Sequence, residues 1–202
     1  MVLDFIENHK TVLGIIASVV AIGAYIPYFR DIFKGKTKPH IFSWLIWSLL
    51  GGIAYTAQVV KGAGAGSWQN GIVTLIYLFI AVLAVFRGEK NIALTDKLAF
   101  GGAILALGLW AITANPLLAV ILASLTDTIA YIPTFRKAYH KPGEETLSAF
   151  TMSAIAIFIS LFALEAYSPT TWLYLVCLLI SDSAFIIMLM ARRNVIKNRR
   201  NI

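Results

Sequence analysis

The sequence predicts an all-α membrane protein of seven transmembrane helices, two three-helix units with a single helix between them. Three observations carry that expectation. Of the 202 residues, 59% are hydrophobic and 13% charged, with a mean hydropathy of +0.78, whereas soluble domains use about 25% charged residues to cover a water-facing surface. Several apolar segments approach the about 20 residues needed to span a bilayer. The heptapeptide Ala24-Tyr25-Ile26-Pro27-Tyr28-Phe29-Arg30 returns 106 residues later as Ala130-Tyr131-Ile132-Pro133-Thr134-Phe135-Arg136, identical at six of seven positions. A repeat at that distance marks two copies of one structural unit.

The apolar segments are 9–33, 41–60, 69–87, 97–114, 116–139, 147–166 and 170–191. The first follows Asp4, Glu7 and Lys10, without a basic n-region or a small-residue cleavage site, so it reads as a span that stays. It contains Pro27, and the fifth contains Pro133. A proline interrupts an apolar helix, which a bilayer tolerates only where neighbouring helices or a water-filled cavity satisfy the freed backbone groups. The duplicated proline therefore points to a central pathway. The second span carries an aromatic and polar stripe of Trp44, Trp47, Ser48, Gly51, Tyr55 and Gln58. The stretch from Lys61 to Asn70 reads as a flexible glycine-rich turn. Asn70, Thr74, Tyr77 and Ala81 share a face of the third span, and Tyr174, Ser181, Asp182 and Phe185 share one on the seventh. Aligning the copies sets Ser43 opposite Ser148 and Trp68 opposite Trp172, with Arg87 matching Arg192 to within one residue. The fourth span is left over as a joiner. The expected organisation is thus residues 1–96 as the first unit, 97–115 as the linking helix, and 116–202 as the second unit with a basic tail. One joining span gives both units the same orientation, a parallel repeat about an axis along the membrane normal.

Orientation follows from Lys and Arg. One set of loops holds Arg30, Lys34, Lys36, Lys38, Arg87, Lys90, Lys97, Arg136, Lys137 and Lys141, and the tail adds Arg192, Arg193, Lys197, Arg199 and Arg200. The opposite side holds Lys10 and Lys61. This positive-inside bias puts the N-terminus outside and the C-terminus in the cytoplasm of a multi-pass protein of the cell membrane. The net charge of +7 is spread over short loops and a tail, which argues against a nucleic-acid partner. Cys177, alone in an apolar run, reads as a small buried hydrophobe.

Two acids lie deep in spans, Asp127 in the fifth and Asp182 in the seventh, with no Lys or Arg at similar depth. A charge at the bilayer centre costs about 2.5–3.5 kcal/mol on insertion scales, so neighbours must offset it. Such a pair suits a proton relay or a cationic solute; the alternative is that each carboxyl only bonds neighbouring hydroxyls. Ser124, Asp127, Thr128 and Tyr131 follow i, i+3, i+4, i+7 and form one polar stripe. The first copy has Ser18, Ala21, Ile22 and Tyr25 there, with no acid in the middle. Trp44, Trp68 and Trp172 read as interfacial anchors, while Trp47, one turn deeper than Trp44, reads equally as anchor or solute contact by stacking or cation–π attraction. Tyr25 and Tyr131, each two residues before a proline, read equally as an inner gate or as interface residues. Glu165 reads as solvated. His9, His40 and His140 lack metal-ligand spacing, and no phosphate loop, His-Glu pair or nucleophile elbow occurs. Neither enzyme nor cofactor is expected.

The order of three, one and three spans, the external N-terminus and the proline near the inner end of each unit's first helix resemble the SWEET and PQ-loop superfamily. Ile132-Pro133-Thr134-Phe135-Arg136-Lys137, then Thr146-Leu147-Ser148, resembles that family's stretch from its proline to its serine. Pro27 to Lys36-Thr37, then Phe42-Ser43-Trp44, is similar but looser. Tyr28 and Thr134 stand where the family has its namesake glutamine, which marks a divergent member. The resemblance implies a transporter moving a small polar solute by alternating access. Asp127, Asp182, Tyr131, Trp47, Thr74, Tyr77, Ser181 and Ser124 would bind solute or coupled protons, with Pro27, Pro133 and Tyr25 as hinge and gate. It also implies that a chain with both units works alone, so monomer and homo-oligomer both stay open. A receptor or scaffold on the same fold, and a lipid translocase, are the alternatives.

Overall fold

The computed structural model describes residues 2–35, 39, 41–88, 94–140 and 142–200. The helices are α1 Val2–Phe33, α2 Ile41–Val60, α3 Trp68–Arg87, α4 Leu94–Thr113, α5 Pro116–His140, α6 Leu147–Ala163 and α7 Pro169–Arg200. Short 3-10 turns occupy Gly64–Ser67 and Pro142–Glu144, and no strand occurs among the described residues. Lys36, Lys38, Lys90 and Lys141 of the basic loops, with Thr37 and His40, lie outside the described residues.

Stretches of α1, α2, α3 and α7 are long and apolar enough to cross a membrane, and the apolar parts of α5 and α6 are shorter. At 17 residues, α6 falls short of the about 20 that a bilayer core asks of an untilted helix. Large apolar side chains point outward along the bundle, among them Leu75, Ile187, Phe86 at 81% exposure and Ile112 at 83%. Water would penalise that surface; lipid would not.

Small residues fill the inside. α1 buries Ala17, Ser18, Ala21 and Ala24, and α6 buries Ala156, Ser160 and Ala163. With Ala17, Ala21 and Ala24 on one helix and Ala156, Ser160 and Ala163 on the other each spaced i, i+4 and i+7, such residues let two backbones approach closely, the packing device helices use in lipid. The α1–α6 pair is the most extensive in the molecule. α2 and α5 build a second core from Ile46, Leu50, Ile53, Ala54, Ala57, Ala119, Val120 and Ala123. Three buried serines are satisfied by their own helix: Ser18, Ser124 and Ser160 each bond the carbonyl four residues back. Helix starts are capped from sequence. Asn115 Oδ1 accepts from the amides of Leu117 and Leu118, with Pro116 at the first helical position of α5. At α7, the Thr171 hydroxyl reaches back to accept from the Ser168 amide, the half of a capping box that satisfies the N-cap donor.

The packing order is simple. α3 packs against both α1 and α2, and α7 packs against both α5 and α6. Between the triplets α1 meets α6 and α2 meets α5, while α4 lies on α5 and α2.

Three local expectations differ from what is found. The prolines do not break their helices: α1 continues through Pro27 and α5 through position 133. Each removes one amide donor, leaving the carbonyl four residues earlier without its usual partner, and the surrounding pairings hold the helix together. The stretch 61–70 is not a loose turn. Ala63, Ala65, Gly66 and Ser67 are buried, wedged against α1 and α6. Trp44 is no surface anchor; it is 8% exposed, inside an aromatic cluster.

Candidate functional site

The duplicated tyrosines make the same kind of contact twice. On α1, Tyr25 donates its hydroxyl to the Tyr77 hydroxyl of α3 at 2.9 Å. On α5, Tyr131 donates its hydroxyl to the Asp182 carboxylate of α7. Each bond therefore runs from the first helix of a triplet to its third. Around the first, Trp44 sits edge-on to Tyr25, Tyr77 and Trp47, with centroids 6.4, 5.2 and 5.3 Å away, and Trp47 lies tilted against Tyr77 at 6.1 Å. Around the second, Phe185 packs edge-on against Tyr131 at 6.4 Å and tilted against Phe150 at 4.3 Å. Edge-to-face geometry at these separations is the favoured arrangement of aromatic rings.

Both acids are buried, Asp127 at 4% exposure and Asp182 at 3%. Their situations differ. Asp182 accepts from Tyr131, and Ser153 of α6 stands near its carboxylate. Asp127 has no hydrogen-bond partner among the described residues. The two carboxyls lie within electrostatic reach of each other, Tyr174 within reach of both, and Tyr25 within reach of Asp182. Tyr77 and Tyr131 likewise sense each other across the triplets. Groups from α1, α3, α5 and α7 thus converge on one zone. No Lys or Arg is buried among the described residues, so an ionised carboxylate here has no cationic side chain to compensate it. A proton or a cation that enters would supply the compensation.

The remaining expected residues fall into place unevenly. The Thr74 hydroxyl oxygen is buried without a partner beside Gly51, where an added methyl would lie 2.5 Å from it. An unpaired buried hydroxyl is expensive. Ser124 spends its hydroxyl on Val120, which removes it from the set of free ligands. Ser181 is half-buried and makes no hydrogen bond among the described residues. Pro27 is half-buried within α1. At Pro133 the helical backbone is described but the side chain is not.

Ser153 is not distinguishable by sequence. Its signal is its spacing: with Ala156, Ser160 and Ala163 it forms the small-residue face of α6, where serine looks like one more small residue. Only the fold brings it to Asp182.

No family model, curated protein or solved structure matches this chain. The site is read from its own geometry.

Proposed function

We propose that this chain is a divergent SWEET-like or PQ-loop-like transporter, a multi-pass protein of the cell membrane that moves a small polar solute by alternating access. In this reading residues 1–96 and 116–202 are two parallel three-helix units joined by 97–115, with the N-terminus outside and the C-terminus cytoplasmic. The supporting observation is the matched pair of tyrosine bonds, each joining the first and third helix of a triplet, beside two buried acids with no Lys or Arg buried among the described residues. The packing supports it too. The third helix of each triplet touches both others, and the contacts between triplets exchange roles, α1 with α6 and α5 with α2, as a two-fold relation requires. Solute binds between the triplets. Asp127 and Asp182 take up a proton or the positive part of the solute, and the helices flex at Pro27 and Pro133.

Uptake into proteoliposomes with and without a pH gradient tests the proposal. Asp127→Asn and Asp182→Asn are each expected to reduce flux at least about tenfold or abolish its dependence on the gradient, the scale on which buried polar groups at functional sites act. Flux unchanged in both variants would refute the roles of the two acids.

A further inference from the structure

We infer that the segment Ala63–Ser67 and Glu165 form a gate that closes the bundle at the end away from the basic loops, and that the structure is the closed state of that gate. The inference rests on the transport reading above, which requires such an end to open and shut.

Ala63–Ser67 connects α2 to α3, and Glu165 belongs to the connection from α6 to α7, so the contact joins the first triplet to the second. The bonds are reciprocal. The Glu165 amide donates to the Ala63 carbonyl at 3.0 Å, and the Ala65 amide donates to Glu165 Oε1 at 3.0 Å. Lys10 of α1 adds a longer bond to the Glu165 carbonyl at 3.4 Å and stands 5.8 Å from the centre of the Tyr167 ring. Beneath this layer Gln58 of α2 donates to the Thr171 carbonyl of α7 at 2.9 Å and accepts from Asn70 of α3 at 3.1 Å.

Glycine makes the interlock possible. A methyl on Gly14 would lie 2.6 Å from the Ala65 carbonyl oxygen, and one on Gly66 would lie 2.6 Å from the Leu164 amide nitrogen. Gly64 has a φ of +57°, a conformation that L side chains rarely adopt, and a methyl there would overlap the Glu165 carboxylate. Backbone thus meets backbone across the triplets at Gly66, while Gly14 seats the same segment against α1 of its own triplet.

Among the described residues, the arginine bonds of α7 at the basic end stay within their own triplet. Arg192 donates to Tyr139 at 3.0 Å, and Arg193 donates to Pro142 at 3.0 Å and to Glu145 at 2.6 Å, all within the second triplet. A gate between triplets needs contacts that water can replace when it opens. The bonds held by the exposed Glu165 meet that need, because opening exchanges them for bonds to water. Glu165 is the hub, since its amide, carbonyl and carboxylate each hold a different partner.

The test uses the full chain in liposomes with Cys177→Ser and a reporter, Ser18→Cys. Ser18 is 6% exposed and lies one turn inside Gly14 on α1. A membrane-impermeant charged thiol reagent is applied from the Lys10 side. Glu165→Ala is expected to speed labelling about fivefold, as loss of one hydrogen bond of ordinary net strength implies. Glu165→Gln, which keeps an acceptor oxygen, should stay close to the parent rate. Equal rates in Glu165→Ala and the parent would overturn the inference. If Glu165→Ala does not fold, the pair Gly62→Cys and Ala166→Cys decides instead. A Cβ on Gly62 would lie 3.8 Å from that of Ala166, the usual separation in a disulfide. Oxidation should then block uptake and reduction restore it; a bond that forms and leaves uptake intact would sink the gate. Labelling needs no solute, so the two readings fail separately. Faster labelling without uptake in any variant would leave the gate and remove the transporter. Uptake with unmoved labelling would do the reverse.

Discussion

In the first triplet Tyr25 reaches across to Tyr77, and in the second its counterpart Tyr131 reaches across to Asp182. The two acceptors are 105 residues apart, and the same shift pairs Arg87 with Arg192. It also pairs Ile80 with Phe185 and Ala84 with Leu189, all four buried. On the second helices a shift of 106 residues sets Trp47, which packs on Tyr77, opposite Ser153, which stands near Asp182. It also sets Leu50, Ala54 and Ala57 opposite Ala156, Ser160 and Ala163, every one of them buried. The frame of the duplication is intact, while the chemistry placed on it has diverged. One copy holds an aromatic trio, Tyr25, Trp47 and Tyr77. The other holds a polar one, Tyr131, Ser153 and Asp182, next to a second acid whose counterpart is Ala21. Under the proposed transport reading, a symmetric frame with unlike halves suits a solute with an apolar or ring-bearing side and a polar or charged one.

The strongest way to break this comparison is to move the lone acid. The double variant Ala21→Asp with Asp127→Ala keeps the number of buried carboxyls and transfers one to the aromatic half. If the halves are specialised, uptake falls at least about tenfold, a barrier or affinity change of about 1.4 kcal/mol. Uptake within a factor of about two would mean that the halves are interchangeable. Binding of the same solutes by thermal shift should fall in parallel.

A milder variant sharpens the contrast between the two tyrosine bonds. Tyr131→Phe leaves a buried carboxyl short of a donor and is expected to cost about 1–3 kcal/mol, the penalty for an unsatisfied buried polar group. Tyr25→Phe removes a bond between two half-buried neutral hydroxyls and should cost about 1 kcal/mol or less. Thermal unfolding in detergent of the two single variants compares them directly. Equal losses would mean that Asp182 gains nothing special from Tyr131.

How much of this is legible in the sequence differs between the two copies. The heptapeptide repeat shows Tyr25 and Tyr131 as equivalents at once, because the first helices align without a gap. The stripe of Ser124, Asp127 and Tyr131 likewise anticipates a buried acid on α5. The third helices mislead. Matching Trp68 with Trp172 is a shift of 104 residues, which sets Tyr77 opposite Ser181. Burial and hydrogen bonding require one residue more, setting Tyr77 opposite Asp182. A one-residue slip turns a helix by about 100°, so the wrong side chain lands on the site. Ser124 illustrates another limit. Its polarity is visible, but the carbonyl of Val120 that satisfies it belongs to its own helix, and only coordinates show a hydroxyl already spent. Nor can the glycines of residues 62–66 be told from a flexible linker. Composition marks both the same way, and only contact with Gly14 and Leu164 shows a packed wedge.

The smallest expected effect concerns Ser153, the residue that sequence conceals among alanines. Ser153→Ala removes a hydroxyl that stands near the Asp182 carboxylate and leaves the Tyr131 bond in place. The stability loss should be about 0.5–1 kcal/mol, less than for Tyr131→Phe, because alanine keeps the small face that lets α6 pack. A double-mutant cycle with Tyr131→Phe then measures whether the two hydroxyls act on one carboxyl. If they do, losing both costs more than the separate losses added together, because the first loss leaves the second hydroxyl to carry the whole burden. Strict additivity would place Ser153 outside the Asp182 site. The matching cycle in the first copy, Tyr25→Phe with Trp47→Phe, has no shared carboxyl to couple through and should be close to additive. Two cycles at equivalent positions, one coupled and one not, would measure how far the copies have parted.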